Sequence, residues 1–81
     1  MGYNKVKFTR PGQNGVKECV CEDGTTIEEA LEQASIDINK TKEAVFEMDE
    51  DTMETNEDPC NLSDEVENGV LYAILPQVAS A

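Results

Sequence analysis

The 81-residue chain contains no histidine and no tryptophan, only two tyrosines and two phenylalanines, and six basic residues against eighteen acids. Without histidine it lacks the one side chain that titrates near neutral pH, the usual general base and the commonest metal ligand. No serine, threonine or cysteine therefore has an imidazole to activate it, and no enzymatic activity is expected. The scarcity of bases excludes a second class. Phosphate-rich partners are held by clustered Lys and Arg, and a chain of net charge −12 and pI near 4.1 is repelled by nucleic acid and by anionic lipid. Neither nucleic acid nor a membrane is an expected direct partner. Long apolar runs are missing too: the longest, Val70 to Leu75, is far short of the roughly 18 residues of a membrane-spanning helix. Met1 to Thr9 is polar and alternating rather than basic then apolar, so no secretory leader is expected. Hydrophobic residues make up 38%, and a chain this short buries only about 60 to 65% of its unfolded surface. One small domain over residues 1–81, with a thin core, is the expectation.

What charge there is lies unevenly. Lys5, Lys7, Arg10 and Lys17 stand in the first 17 residues with no acid, seven acids and two lysines follow to residue 42, and the rest holds eleven acids and no base. The N-terminal bases interleave with Val6 and Phe8, which reads as the solvated face of a strand.

Three cysteines, at 19, 21 and 60, make an odd count without a leader, so reduced thiols in the cytoplasm are expected. Cys19 and Cys21 are two apart, share one face of a strand and serve as small buried hydrophobes. A structural zinc needs four ligands, and beyond Cys60 only carboxylates remain, so no metal and no cofactor is expected.

Lys5-Val6-Lys7-Phe8-Thr9 alternates polar and apolar, the period of a half-buried strand. Asn14-Gly15 supplies the positive φ of a hairpin turn, and Val16 to Cys21 resumes the β pattern, so residues 4–21 read as a hairpin. Thr26 followed by Glu29 forms a capping box, which starts a helix at Ile27. Ile27, Ala30, Leu31 and Ala34 fall on its inner face, and it ends near Ser35. Glu43 to Met48 reads as a short third strand. Val70 to Leu75, entered through Asn68-Gly69 and closed by Pro76, reads as a central strand parallel to the first. The expected core is Ile27, Leu31, Val45, Leu62, Leu71 and Ile74, with Tyr72 inside the apolar run.

Between these last strands, residues 49–60 lose nearly all apolar content and carry Asp49, Glu50, Asp51, Glu54, Glu57 and Asp58. Such density favours a solvated loop, from which Met53 is expected to tuck back toward the core. Asp49 and Asp51 begin like a calcium loop, but Met53 takes the next ligand position and Glu54 the place of the required glycine, so the pattern fails. The solvated acids also lack the contrasting environments that paired catalytic carboxylates need.

Hairpin, helix, short strand, polar stretch and terminal central strand is the β-grasp (ubiquitin-like) order, an α+β fold with a mixed four- or five-stranded sheet on one helix. Its helix entry, Asp23-Gly24-Thr25-Thr26-Ile27, and its late turn, Asn68-Gly69-Val70-Leu71, resemble those of the small sulfur-carrier proteins of thiamine and molybdopterin synthesis. That resemblance implies a C-terminal Gly-Gly activated as an adenylate and converted to a thiocarboxylate. Ser80 and Ala81 stand there instead, and they lack the slimness that lets glycine thread into an activating enzyme.

Recognition of another protein is the function this leaves. The expected role is an adaptor or accessory module that meets a partner with a basic surface through Asp49, Glu50, Asp51, Glu54 and Tyr3. The alternatives are an acidic inhibitor that imitates nucleic-acid phosphate, as some small phage proteins do, and a carrier or ubiquitin-like modifier activated at its C-terminus.

Overall fold

Alternation of polar and apolar side chains sets the first two elements. The computed structural model describes residues 2–10 and 15–76; within it β1 (Tyr3–Thr9) and β2 (Val16–Glu22) form an antiparallel pair in continuous register from Tyr3 opposite Glu22 to Thr9 opposite Val16. Asn14 and the Ser80-Ala81 terminus lie outside the described residues. The helix α1 (Ile27–Gln33) starts where the capping box places it: the Thr26 hydroxyl accepts from the Glu29 N–H, and the Glu29 carboxylate accepts from the Thr26 N–H. It ends in a Schellman turn, in which the Ile36 N–H donates to Leu31 O at 2.9 Å and the Ser35 N–H to Glu32 O at 3.0 Å. Ser35 holds the left-handed position at φ 60°, where glycine is the usual occupant.

β3 (Glu43–Met48) has the expected bounds, and β4 (Leu71–Pro76) begins one residue later than expected. The four strands lie in the order β2-β1-β4-β3, with β4 parallel to β1 and antiparallel to β3. The last strand is therefore central. This mixed four-stranded sheet on a single helix is an α+β fold of β-grasp (ubiquitin-like) topology, and the fifth strand left open by the sequence is absent among the described residues.

The core lies between sheet and helix. Val6, Phe8, Cys19, Cys21, Val45, Tyr72 and Ile74 come from the strands, Ile27, Ala30 and Leu31 from α1, and Val66 from the connection to β4. Phe8 and Tyr72 stack with ring centroids 5.6 Å apart, and the buried Tyr72 hydroxyl accepts from the Glu67 N–H at 3.1 Å. Leu62 only packs against the edge of this cluster. Leu71 corrects the expected core: it is buried, but on the opposite face. Side chains alternate along β4, so a residue next to Tyr72 cannot share its side. Met53 is corrected as well, at 63% exposed, because the turn that carries it holds it over the sheet rather than under it.

The sheet has two unlike edges. Along β3 the chain covers its own edge, with the Asn56 N–H on Glu47 O at 3.0 Å and the Cys60 N–H on Val45 O at 2.7 Å. Along β2 nothing among the described residues does so. No described helix is long and apolar enough to cross a membrane.

Candidate protein-docking face

The face away from α1 is built by the odd-numbered residues of β1 and the even-numbered residues of β2 and β3. Two rows cross it: Val16, Thr9, Ala73 and Phe46 in one, and Glu18, Lys7, Leu71 and Met48 in the other. Ala73 and Leu71 are buried at its centre, whereas Tyr3, Val16 and Val20 on the β1–β2 side are 65%, 54% and 58% exposed.

The acidic segment folds back onto this face. The Asp49 carboxylate accepts from the Asp51 N–H at 2.8 Å and the Thr52 N–H at 3.4 Å, and Asp49 and Glu54 close the turn through an Asp49 N–H to Glu54 O bond of 2.9 Å. A bridge from Met48 to Thr55 clamps its base, and Met53 takes a left-handed φ of 61° at the bend. Glu50 then reaches Lys7, Oε1 to Nζ at 3.3 Å, across the sheet. Met53 overhangs a cavity of about 310 Å³ floored by Leu71 and Thr9 and walled by Val16 and Lys7. On the far side of the loop an open depression of about 720 Å³ is lined by Glu47, Asp49, Glu50, Asp51 and Glu54.

Four of the five expected contact residues are thus gathered around one turn, and they divide by role. Asp49 organises the turn, Glu50 ties it to β1, and Asp51 and Glu54 face the depression. Tyr3 stands apart, opposite Glu22 at the other end of β1. Sequence reasoning passed over Val16 and Val20 as contact residues. Their signal was the parity against Cys19 and Cys21: if the cysteines are buried, the valines face outward.

The four N-terminal bases make no positive strip among the described residues. Lys5 pairs with Glu18 at 3.4 Å, Lys7 with Glu50 and Arg10 with Glu43 at 3.6 Å, while Lys17 donates to Ala34 O. Further along, Lys40 pairs with Glu28 at 2.9 Å. The three lysine pairs are exposed and stabilise little, whereas Arg10 and Glu43 are more buried; together the pairs cancel the positive charge locally and leave the acids in excess.

Two of the three thiols are poor nucleophiles. Burial foremost, then the hydrogen bond and charge of Cys19 at an Sγ–Sγ distance of 3.5 Å, push Cys21 up to about 11. Cys60 is also raised, first by burial and then by the Glu47 carboxylate. At neutral pH both remain thiols, and thiolate is the reactive form. Among the described residues no three His, Cys, Asp or Glu side chains converge as a metal set. No family model, curated protein or solved structure matches the chain.

Proposed function

We propose that this β-grasp-like domain is a protein-binding module, an adaptor or accessory subunit without catalytic activity of its own, which engages a basic partner surface through the open sheet face and the acidic segment. One observation carries the reading: the carboxylates of Asp49, Glu50, Asp51 and Glu54 are held in one ordered turn beside exposed apolar side chains of the same face. Charge of one sign beside apolar surface is what steered encounter followed by docking requires. The thiols of Cys21 and Cys60, protonated at neutral pH, and the solvated acids offer no competing chemistry.

Replacing Asp49, Glu50 and Asp51 by Asn, Gln and Asn tests this. The amide introduced by Asp49→Asn keeps an oxygen to accept from the turn, so the fold persists while three charges go. Association with the partner isolated from the native host slows, and added salt weakens the unsubstituted complex more than the substituted one, since exposed charges are screened beyond about 8 to 10 Å at ordinary ionic strength. A partner that binds both proteins alike at all salt concentrations would sink the reading.

The β-grasp-like topology supports a second reading, a sulfur carrier or modifier activated at its C-terminus. That function predicts a mass shift at Ala81 with ATP and an activating enzyme, and indifference to the acidic substitutions.

A further inference from the structure

We propose that β2 is a docking edge, which takes an extended basic segment of a partner protein as a fifth strand. The inference rests on the protein-binding reading and adds the mode of binding and the chemistry of what is bound.

The hydrogen-bond pattern identifies the free groups. Lys5 O accepts from Gly69 and the Lys7 N–H donates to Val70, so the odd residues of β1 turn their backbone toward β4 and its even residues toward β2. Asn4, Val6 and Phe8 stand opposite Cys21, Cys19 and Lys17, which places the backbone of those three β2 residues against β1. The groups of Val16, Glu18, Val20 and Glu22 therefore face outward. Glu22 O is taken by the Thr25 N–H, and the N–H and C=O of Glu18 and Val20 have no partner among the described residues.

Edge strands are ordinarily blunted by proline, a bulge or an outward lysine. β2 has no proline, and its register with β1 runs through all seven pairs without a bulge. Its one lysine, Lys17, lies on the helix side with its ammonium donated to Ala34 O at 2.9 Å. The other edge of the same sheet is covered by the chain itself.

The side chains that accompany the free groups alternate apolar and acidic: Val16, Glu18, Val20 and Glu22, all exposed on the open face. Cross-strand neighbours pair β-branched with β-branched and acid with base, so the complementary strand alternates apolar residues with Lys or Arg. Glu18 pairs with the exposed ammonium of Lys5 and stands opposite Lys7, whose own ion pair is with Glu50, and Glu22 has Tyr3 opposite it, a ring on which a guanidinium can stack. A second copy of this chain would bring another net charge of −12 to the same edge, whereas a basic segment is drawn in. Strand addition of this kind takes affinity from the main chain and specificity from alternate side chains.

The test is a titration of the ¹⁵N-labelled full chain with a blocked peptide as long as the seven residues of β2, alternating valine and lysine, beside one with glutamate in place of lysine. The lysine peptide is expected to shift and protect the amides of Glu18, Val20 and Glu22, and to leave those of Lys17, Cys19 and Cys21, already bonded to β1, little changed. Val20→Pro removes a donor that faces solvent and is tolerated on an edge, and it should weaken binding about tenfold. Val20→Lys keeps the backbone intact, sets like charge against the peptide and should weaken binding similarly. Shifts confined to residues 49–55, with both variants binding normally, would overturn the docking edge and leave the acidic segment as the binding element. Equal binding of the glutamate peptide, no binding of either peptide, or protection of the outward amides by self-association alone would also overturn it. None of these results touches the salt-dependent association with the native partner, on which the broader reading stands.

Discussion

The two faces of the sheet are made by the same strands and differ in what lies over them. On the helix side Val6, Phe8, Cys21, Tyr72 and Ile74 are at most 2% exposed, beneath an amphipathic helix that supplies Ile27, Ala30 and Leu31. On the other side a turn of acids crosses part of the sheet and leaves Tyr3, Val16, Val20 and Met53 more than half exposed. Apolar content on the strands does not separate the faces, since Leu71, Ala73, Phe46 and Met48 lie on the second one. The cover separates them: α1 brings apolar side chains that exclude water, whereas the 49–55 turn brings carboxylates that need it. Stability is therefore concentrated on one face and accessible surface on the other.

The sharpest way to break this contrast is to truncate adjacent residues that point to opposite faces. Tyr72→Ala removes a ring stacked on Phe8 and the acceptor of the Glu67 N–H, and should cost about 3 to 5 kcal/mol, enough to unfold most of a domain this small. Leu71→Ala empties a site walled on one side by a solvated turn, and should cost about 2 kcal/mol, the low end for a buried leucine. Urea denaturation of both measures the difference. Equal losses would mean that the two faces are equally well packed.

Alkaline titration probes the covered face, where burial raises the pKa of Tyr72 as well as that of Cys21. The Cys21 thiol ionises near 9 when unfolded and at about 11 when folded, so between those values the unfolded chain holds fewer protons. Stability should be full below pH 9 and fall as pH rises toward 11, and Cys21→Ala should flatten that part of the profile. Midpoints of thermal unfolding across the range read it out.

Smaller effects sharpen the comparison at its margins. Ser35→Gly relieves a left-handed serine just past the end of α1 and should add about 0.5 to 1 kcal/mol. Glu50→Gln breaks the exposed pair with Lys7 and should change stability by less than about 0.5 kcal/mol, while hydrogen exchange in residues 49–55 quickens. A large stability loss from Glu50→Gln would make the acidic turn a structural cover equal to the helix.

Much of this was legible locally. The capping box at Thr26 and Glu29, the alternation through Val6 and Phe8, the third strand at Glu43–Met48 and the apolar run of the last strand each depend on neighbours within a turn or two of chain. Local pattern misled at Leu71, because a continuous apolar run does not say which of its two faces meets the helix. It misled at Met53 as well, where a lone apolar residue among acids is held out by a left-handed bend that needs no glycine to mark it. Four of the five expected contact residues were placed together by sequence adjacency alone, and Tyr3 was not among them.

Composition and period by themselves determined an acidic, histidine-free α+β chain with a single helix and a sheet of four or five strands, and the side of β2 on which the cysteines lie. Only the tertiary structure decided that Leu71 lies on the face away from the helix, that residues 55–60 close one edge while β2 stays bare among the described residues, and that Glu50 rests on Lys7 from 43 residues away. The physical reason is the range of the interactions. Capping and amphipathic periodicity act over a few residues, and the sequence displays them directly. Edge cover and cross-sheet ion pairs join segments that meet only after the hydrophobic faces have packed, so their partners are set by the geometry of the folded chain.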